Sequence, residues 1–337
     1  MSYITTFTAE YVWIGGENEL RSKTRILKNS GTNKKLPEWD YDGTSTKQAD
    51  GDDSEVILKP CAVFYDPFRK ANDKNLLVLC STYKPNMQPV FNNNRHNAEH
   101  IFRKSVNEET WFGLEQEYFI YDNKTSLPLG FSVDGKQGQY YCSVGSRNAY
   151  GREIVEEHLE ACLYAGVNIT GINAEVAPGQ WEFQIGICKG IDAADHLWMA
   201  RYILERISEK YNVYINYHPK PLKGDWNGSG CHTNFSTKKM RDPDNGLNEI
   251  YKAISLLENK HSEHMQVYGA HNRERLSGIH ETSGYNKFTS GIANRGASVR
   301  IGNKTVKDGC GYFEDRRPSS NMDPYLVTAK IVETICL

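Results

Sequence analysis

The sequence lacks the features of membrane and secreted proteins. No window approaches the roughly 18 uninterrupted apolar residues that span a bilayer, and the first residues show no basic segment followed by an apolar run. The nearest pair among the eight cysteines, Cys61 and Cys80, is 19 residues apart, so the sequence contains no CxxC motif and no zinc ribbon. We therefore expect a cytoplasmic protein with reduced thiols and no membrane partner.

An excess of charge of one sign is also absent. The chain has 40 Lys and Arg residues against 42 Asp and Glu residues, and its formal charge of −2 supplies no field for nucleic-acid binding, so we expect no nucleic-acid partner. A Walker A sequence, a dinucleotide-binding fingerprint and a kinase catalytic loop are missing. A nucleotide site in this protein must therefore have another design.

Length and composition predict a globular protein of two domains. The chain has 337 residues, of which 39% are hydrophobic, with 28 glycines in addition. Strand patterns with polar turns fill about the first 90 residues, and a stretch rich in proline and asparagine lies between residues 83 and 94. We place a first domain over residues 1–87 and a second over 94–337, where helical and strand patterns alternate.

Four segments of the second domain carry helical signals. Residues 147–165 and 192–211 are the first two, and the latter has an apolar face that repeats every 3.6 residues. The third segment, residues 250–265, also has an apolar face with helical spacing. The last helix is predicted to begin at Asp323-Pro324, an N-cap followed by proline at the first helical position. We assign these apolar faces to the core.

Charged side chains occur in strand patterns where apolar residues are expected. Glu115 and Glu117 are two residues apart in WFGLEQEYFIY, so a strand would point both carboxylates to the same face. Buried like charges repel unless they share a proton or bind a cation. The alternative is an edge strand that exposes both side chains to solvent.

Three more carboxylates and one imidazole repeat this pattern. Glu175 and Glu182 lie on the two arms of a predicted turn, His232 alternates with polar residues in CHTNFS, and Glu314 precedes Pro318. A single histidine in a strand more often belongs to the core than binds a ligand. In this sequence, however, five glutamates in strand patterns accompany His232. Oxygen-rich ligation with one imidazole suits Mg²⁺ or Mn²⁺, and so many carboxylates indicate two or more ions.

Arginines concentrate in the last quarter of the sequence, among polar and glycine-rich turns. They are Arg275, Arg295, Arg300, Arg316 and Arg317. Together with divalent ions, guanidinium groups can clamp phosphates and stabilise a migrating phosphoryl group. The alternative is a solvated basic surface.

Two histidine pairs receive a structural interpretation. Residues 96–100, HNAEH, fit the H-x-x-E-H pattern of inverted zinc proteases, but so short a pattern is weak and we predict a surface helix. His261 and His264 lie on one helix face with no carboxylate arranged to help, and we assign them a structural role.

Six segments resemble, in order, the signature segments of the glutamine synthetase family: WFGLEQEY, NAEVAPGQWEFQIG, KPLKGDWNGSGCHTNFST, RLSGIHETS, ANRGASVRIG and GYFEDRRPSSNMDPY. The segment EWDYDGTST also resembles the family's N-terminal latch. The similarity extends from about Glu10 to the end, and the length is similar to that of the short eukaryotic-type enzymes. It implies an α+β fold: a small N-terminal β-grasp-like domain, then a large catalytic domain whose curved antiparallel sheet forms a partial barrel flanked by helices.

The resemblance implies ATP-dependent ligation of ammonium to L-glutamate through γ-glutamyl phosphate, a reaction of ammonia assimilation. Two or three Mg²⁺ or Mn²⁺ ions per active site would accompany ATP. One ion would have the ligands Glu117, Glu175 and Glu182, and another would have Glu115, His232 and Glu314. These are the six residues that charge placement also selects.

The resemblance further implies the residues that bind the substrates. ATP would contact Trp111, Glu115, Glu182, Ile187, Asn234, Phe235, Ser236, Arg295, Arg300 and Tyr312. L-Glutamate would contact Asp225, Trp226, Asn227, Gly228, Arg275, Arg295 and Arg316. Ammonium would be held by Asp42, Ser45, Tyr141, Glu175 and Glu281. The catalytic roles would fall to Asp42, Glu281, Arg295 and Arg316, with Glu281 as the flap carboxylate that closes over the intermediate.

In the family, Asp42 would come from the neighbouring subunit, because each active site forms between the small domain of one chain and the large domain of the next. The resemblance therefore implies a homo-oligomer, commonly a decamer of two pentameric rings. One departure is Ile187, which stands where the family pattern has proline beside the nucleotide.

Two other functions are compatible with the same fold. A relative could ligate another amine to glutamate, although Asp42 and Glu281 favour a small cationic substrate. A catalytically silent structural protein could also share the fold, although all six ligand residues are retained.

Overall fold

The structure is a computed structural model that describes residues 6–28 and 36–337. Its backbone contacts divide the chain into two compact units. The first comprises the residues up to Glu99 together with Glu160–Val167, and the second comprises His100–Leu159 and Asn168–Leu337. The domain boundaries expected from composition, 1–87 and 94–337, stay a prediction.

The first unit is built on a mixed sheet of five strands. Its strands are β1 (Thr6–Ile14), β2 (Leu20–Lys28), β3 (Trp39–Asp42), β4 (Glu55–Tyr65) and β5 (Leu76–Tyr83). Their order is β2-β1-β5-β4-β3, in which β1 and β5 are parallel and the other pairs are antiparallel. Buried Tyr11, Leu58 and Val78 contribute to the core on this sheet.

Strand β4 differs from the sequence pattern. The sequence predicts two strands, at 55–60 and from Cys61 onward, but the structure has one strand that pairs with β5 throughout. The register shifts between Pro60 and Ala62. A bulge at this point accommodates the proline, which has no N–H to donate, without ending the strand.

The second unit contains an eight-stranded, strongly curled half-barrel sheet. Its strands are β6 (Trp111–Asp122), β7 (Ile169–Ala174), β8 (Gln180–Lys189), β9 (Val213–Asn216), β10 (Cys231–Ser236), β11 (Ser290–Ile292), β12 (Val299–Ile301) and β13 (Phe313–Asp315). The order is β11-β12-β13-β10-β6-β8-β7, and β9 pairs with the C-terminal part of β6. Only the pair β11 and β12 is parallel among these described strands.

Eight α-helices occur in the described part of the chain. They are α1 (Asn94–Lys104), α2 (Arg152–Ala165), α3 (Asp192–Tyr211), α4 (Gly246–Asn259), α5 (His261–Val267), α6 (Asn272–Arg275), α7 (Asn303–Asp308) and α8 (Pro324–Cys336). The predicted helix at 192–211 is confirmed. The predicted helix at 147–165 begins later, at Arg152, and the one predicted over 250–265 is two helices that meet at Lys260.

The last helix shows how local chemistry sets a helix start. The carboxylate of Asp323 accepts a hydrogen bond from the N–H of Tyr325 at 2.8 Å, and Pro324 occupies the first turn. The cap satisfies a backbone donor that has no partner within the helix, and proline has no such donor to satisfy. The predicted start at this position is confirmed.

The two histidine pairs outside the sheet have structural contacts. His96, in α1, lies 3.2 Å from the hydroxyl of Tyr83 through Nδ1. His264 is buried, with Nδ1 at 2.7 Å from the hydroxyl of Tyr268 and Nε2 at 2.8 Å from Thr334 Oγ1. Within residues 6–28 and 36–337, no group of converging metal ligands includes either pair.

The expected α+β class is confirmed, with a curled antiparallel sheet and flanking helices in the second unit. No helix in the described residues combines the length and the apolar composition that crossing a bilayer requires.

Candidate active site

The register of the large sheet brings residues from distant parts of the sequence together. His232 on β10 lies directly opposite Glu115 on β6, and Glu117 on β6 lies opposite Glu182 on β8. Cross-strand partners point to the same face of a sheet, as do residues two apart on one strand. Strand β6 therefore supplies two carboxylates to one face and meets another candidate ligand on each side.

The opposite face of β6 anchors the strand. Gln116, between the two glutamates, is buried, and its Oε1 accepts hydrogen bonds from Nε and Nη2 of Arg201 at 2.9 and 2.6 Å. Arg201, on α3, also donates to the backbone oxygens of Ser320 and Met322, both at 2.9 Å. This buried network holds the backbone from which Glu115 and Glu117 project.

Glu117, Glu175 and Glu182 form a first group of possible metal ligands. One carboxylate oxygen from each lies within 4.8 Å of the other two. Glu175 directly follows β7, and its Oε1 accepts a hydrogen bond from Asn173 Nδ2 at 2.9 Å. Glu117 Oε2 accepts the backbone N–H of Gly230 at 2.7 Å. Three carboxylates thus converge, and few hydrogen-bond donors are available to them.

Burial raises the pKa of all three carboxyl groups. The pKa of Glu117 rises to about 7, that of Glu175 to about 8 and that of Glu182 to about 9. Burial is the largest cause for each, and repulsion by neighbouring carboxylates adds to the shifts of Glu175 and Glu182. The group therefore holds protons near neutral pH that a divalent cation can replace.

Glu115, Glu182 and His232 form a second group, whose ligand atoms also lie within 4.8 Å of one another. Nδ1 of His232 is 3.4 Å from Glu115 Oε2 and 3.5 Å from Glu314 Oε1. Burial and then neighbouring guanidinium charges lower the pKa of His232 well below its usual value. Its Nε2 lies 3.0 Å from Arg275 Nη2, so Nδ1 is the ring atom that faces Glu115 and Glu314.

Glu314 lies beside this second group, between two arginines. Its Oε1 accepts a hydrogen bond from Arg316 Nη1 at 2.7 Å, and its Oε2 lies 2.5 Å from Arg300 Nε. Although Oε2 is close to Arg300, it is buried and has no aligned hydrogen bond. The structure thus brings Glu115, His232 and Glu314 together, and their role as ligands of one ion stays a prediction.

A cavity of about 460 Å³ opens onto both groups. Five of the six candidate ligands line it, together with four arginines: Arg275, Arg295, Arg300 and Arg316. Asn227 and Gly228 line it as well. A Cβ atom at Gly228 would lie 2.2 Å from the backbone oxygen of Pro219, so only glycine fits at this position.

A second cavity of about 390 Å³ lies next along β6 and β10. It is lined by seven residues that the sequence assigns to ATP: Trp111, Glu115, Ile187, Asn234, Phe235, Ser236 and Tyr312. Ile187 is 65% exposed, and Tyr312 is 52% exposed. Glu115 and Gln184 line both cavities, so a ligand in the second cavity can extend toward the carboxylates.

Arg241 is a residue of this cavity that the sequence analysis misses. Its guanidinium carbon lies 3.7 Å from the centroid of the Trp111 ring. Its Nη1 donates to Ser236 Oγ at 2.9 Å, and its Nη2 donates to the backbone oxygen of Glu109 at 2.7 Å. No strand periodicity marks Arg241, because it belongs to a short turn after β10. Its nearness to Ser236 in the sequence was the available signal.

Comparison with known proteins identifies the family. A family model described as the catalytic domain of glutamine synthetase matches residues 95–336. This chain belongs to the glutamine synthetase family. The cavity with its carboxylates and arginines lies within the matched residues.

The similarity to individual glutamine synthetases extends over nearly the whole chain. A putative glutamine synthetase of Acanthamoeba polyphaga mimivirus is 60% identical over 331 residues, which cover 97% of this chain and 93% of the relative. The glutamine synthetase cytosolic isozyme 2 of Vitis vinifera is 55% identical over 336 residues, which cover 98% and 94%. The cytosolic isozyme 1-3 of Arabidopsis thaliana is 55% identical with the same coverage.

Not every residue expected to bind substrate in a glutamine synthetase lies at a cavity. Tyr141 and Glu281 line the larger cavity, and Glu281 belongs to the flap, which we define as residues 277–284. Asp225 and Trp226 line neither of the two cavities, and the side chain of Asp225 is 95% exposed. Their predicted contact with glutamate stays a prediction.

Asp42 and Ser45 lie in the first unit. The carboxylate of Asp42 accepts hydrogen bonds from the hydroxyls of Thr44 and Ser45, both at 2.6 Å, and from the backbone N–H of Thr44 at 3.1 Å. These bonds, that of Ser45 first, lower the pKa of Asp42 below its usual value. The side chain is therefore an exposed, ordered anion at neutral pH.

A third group of possible ligands lies outside both cavities and fits a metal poorly. His218, His271 and Glu274 place one ligand atom each within 4.8 Å of one another. However, Nδ1 of His218 already accepts the backbone N–H of Lys220 at 3.0 Å, and His271 and Glu274 are exposed to solvent. We assign no metal to this group.

Proposed function

We propose that this chain forms L-glutamine from L-glutamate and ammonia with the hydrolysis of ATP, through γ-glutamyl phosphate, as a reaction of ammonia assimilation. The observation that carries the proposal is one cavity in which four arginines face five candidate metal ligands. Divalent ions and guanidinium groups together are the parts that phosphoryl transfer requires. The names of the relatives agree with this assignment.

The residues of the cavity fit divalent cations. The donor set is rich in oxygen with one imidazole, and burial raises the pKa values of three of its carboxyl groups. We assign Glu117, Glu175 and Glu182 to one ion and Glu115, His232 and Glu314 to another, with two or three Mg²⁺ or Mn²⁺ ions per site. Bound ions would neutralise the phosphate oxygens of ATP and polarise its γ-phosphoryl group.

The arginines would bind the phosphates of ATP and the carboxylates of glutamate. We assign the nucleotide base to the second cavity, beside Trp111, and the phosphates to the shared boundary near Arg295 and Arg300. Arg275 and Arg316 would bind the carboxylates of glutamate. An oxygen of the glutamate γ-carboxylate attacks the γ-phosphorus, the bond to the ADP oxygen breaks, and an acyl phosphate forms. The guanidinium groups stabilise the charge that develops on the transferred group.

In the last step, carboxylates accept a proton from ammonium. Ammonium must lose this proton before it can attack the acyl carbon. We assign this role to the carboxylates of Asp42, Glu175 and Glu281, with Tyr141 lining the ammonium site and Ser45 ordering Asp42 by its hydrogen bond. An anionic pocket first attracts the cation and then accepts the proton. Closure of the flap would keep water from the acyl phosphate.

We further propose a homo-oligomer, a decamer of two pentameric rings, in which Asp42 of one chain serves the cavity of its neighbour, and a cytosolic location. The cytosolic isozymes among the relatives support the location. A mixture of Asp42→Ala chains and Arg316→Ala chains should then recover part of the activity through hybrid interfaces. No recovery would contradict the shared site, and a measured mass in solution tests the decamer.

An assay of the full chain tests the function itself. ATP consumption should require both glutamate and Mg²⁺ or Mn²⁺, and ammonium should yield glutamine. Turnover with methylamine or a polyamine but not with ammonium would instead assign the chain to the γ-glutamyl-amine ligases. No turnover in any of these mixtures would favour a structural protein.

A further inference from the structure

We propose that Gln137 and His280 form a latch that positions the flap carboxylate Glu281 over the acyl phosphate. The inference rests on the proposed function of the larger cavity. Gln137 belongs to the segment between β6 and α2, and His280 is the neighbour of Glu281 in the flap. Both are positioning residues, because they act through Glu281 and through the segments around the cavity.

The flap has a backbone conformation that needs outside contacts to persist. His280 and Glu281 are consecutive residues with φ of +56° and +60°, although neither is glycine. Side chains with a Cβ atom rarely adopt this region, and two in succession are rarer. The flap is closed at its base by the N–H of Tyr285, which donates to the backbone oxygen of Leu276 at 2.8 Å. Within the flap, Thr282 Oγ1 donates to the backbone oxygen of Ile279 at 2.9 Å, but neither bond ties the tip, where Glu281 lies, to the segments across the cavity.

The orientation of the Gln137 carboxamide is determined by Asn227. The backbone N–H of Asn227 can only donate, and it lies 2.6 Å from Gln137 Oε1. Nε2 of Gln137 donates in turn to Asn227 Oδ1 at 2.5 Å. One N–H of Gln137 remains, and Nε2 lies 3.3 Å from His280 Nδ1. The carboxamide therefore offers His280 a donor.

This donor selects the tautomer of His280. Because the amide group only donates, Nδ1 of His280 accepts and the ring proton lies on Nε2. Nε2 is 3.4 Å from Asp225 Oδ1. The His280 side chain is 15% exposed, whereas that of Asp225 is 95% exposed, so water competes for the contact with Asp225. The contact with Gln137 is the sheltered one, and it is the latch.

Gln137 connects the flap to the substrate side of the cavity. Asn227 precedes Gly228, and both line the cavity where glutamate is assigned. The N–H of Gly138, next to Gln137, donates to the backbone oxygen of Val176 at 2.9 Å, beside Glu175. The Gln137 carboxamide thus ties the flap to the segment of Asn227, and the backbone beside Gln137 joins the segment of Glu175. Glu175 and Glu281 line the same cavity.

Without the latch, water reaches the intermediate. Water adds to the acyl carbon, the bond from that carbon to the phosphate oxygen breaks, and glutamate and phosphate leave without an amide. ATP is then converted to ADP and phosphate with glutamate regenerated. The expected sign of a lost latch is therefore phosphate released in excess of glutamine formed, with the KM for ATP unchanged.

Two substitutions at His280 separate the latch from the other contact. His280→Asn places an amide oxygen near the position of Nδ1 and keeps an acceptor for Gln137. His280→Gln places its amide near the position of Nε2 and keeps only the contact with Asp225. One neutral hydrogen bond corresponds to about a five-fold change in an equilibrium. We expect His280→Gln and Gln137→Ala to raise the excess phosphate per glutamine about five-fold, and His280→Asn to stay near the wild type.

The test uses the full chain with Mg²⁺, ATP, glutamate and ammonium, and Lys136→Ala as the control in the same segment. Equal coupling in His280→Asn and His280→Gln, or normal coupling in Gln137→Ala, would overturn the latch. If a variant has no turnover, hydrogen exchange of residues 277–284 replaces the assay: exchange faster in His280→Gln than in His280→Asn supports the latch, and equal exchange refutes it. Failure of the wild type to make glutamine would refute the proposed function instead, and the exchange comparison would still decide the latch.

Discussion

Two ion pairs on residues 314–317 face opposite sides of the same chain segment, and their environments differ. Asp315 accepts hydrogen bonds from Arg317 at 2.9 and 2.7 Å and from the hydroxyl of Tyr268 at 2.7 Å. Glu314 has one aligned bond, from Arg316, and its second oxygen has only the ion-pair contact with Arg300 Nε at 2.5 Å. The same residue types therefore form a saturated structural pair on one side and an unsaturated pair at a cavity on the other.

The pKa of Asp315 and the pKa values of three carboxyl groups at the cavity show a similar contrast. Burial favours the neutral form of Asp315, but the Arg317 charge and its hydrogen bonds hold the pKa below its usual value. Glu117, Glu175 and Glu182 are also buried, yet their pKa values rise to about 7, 8 and 9. Burial alone does not distinguish a structural carboxylate from a functional one in this protein. The number of hydrogen-bond donors around each carboxylate distinguishes the two kinds.

The strongest test of the contrast removes the saturated carboxylate. Asp315→Asn leaves the buried guanidinium of Arg317 without its counter-charge, which should cost about 3–5 kcal/mol of the free energy of unfolding. Urea denaturation measures this loss. The matched variant Glu314→Gln should lose much less, because its arginines line a cavity. Equal losses of unfolding free energy would mean that the two ion pairs do not differ in how completely they are hydrogen-bonded.

The next test removes a carboxylate of the unsaturated cluster. Glu182→Gln should lower kcat by more than about 100-fold, since loss of residues that only support metal ligands already costs 10–100-fold. Above about pH 9, where Glu182 loses its proton, the metal-free variant should also be more stable than the metal-free wild type, because a source of repulsion is gone. The exposed variant Glu258→Gln is the control. A less stable Glu182→Gln protein would contradict the cluster's repulsion.

Stability against pH offers a third test. The raised pKa values mean that the folded, metal-free chain retains protons that the unfolded chain releases above pH 4.5. This contribution to stability is therefore complete below pH 4.5 and is lost as the pH rises through about 7 to 9. We expect the melting temperature of the metal-free protein to fall over this range, and added Mg²⁺ to suppress the fall and release protons. A metal-free melting temperature that rises from pH 7 to 9 would refute the assignment.

The smallest expected effect concerns the second cavity. Arg241→Ala removes the guanidinium from Trp111, and the KM for ATP should rise about two- to five-fold, since such contacts at exposed sites are worth about 0.5–1 kcal/mol. The kcat should change little, because Arg241 lies away from the carboxylates. Lys239→Ala, in the same turn, is the control. A change in kcat with a constant KM would place Arg241 at the reaction instead.

Much of the candidate site could be predicted from alternation along single strands. Glu115 and Glu117 are two apart, and so are Glu314 and Arg316, and the structure places each pair at one cavity or its edge. Alternation could not show that Glu182 belongs to both ligand groups, because the distance between strands depends on the register. It also could not separate Arg317, which joins the core, from the four arginines at the cavity.

Residues in turns were the least predictable. Asp225 and Trp226 belong to a segment that resembles a substrate-binding motif, yet neither lines a cavity. Arg241 and Gln137 carry no periodic signal, and their contacts join segments that lie far apart in the sequence. A turn side chain has no preferred face until tertiary packing provides one.

The sequence by itself determined the family, the α+β class, the types of chemical group available and the side of each strand on which they lie, because backbone alternation is local. Only the tertiary structure decided which strands are neighbours, and hence which carboxylates share a cavity and which have enough donors to be part of the core. Strand pairing depends on contacts between distant residues, and the charge state of a buried group depends on every group that the pairing brings near it.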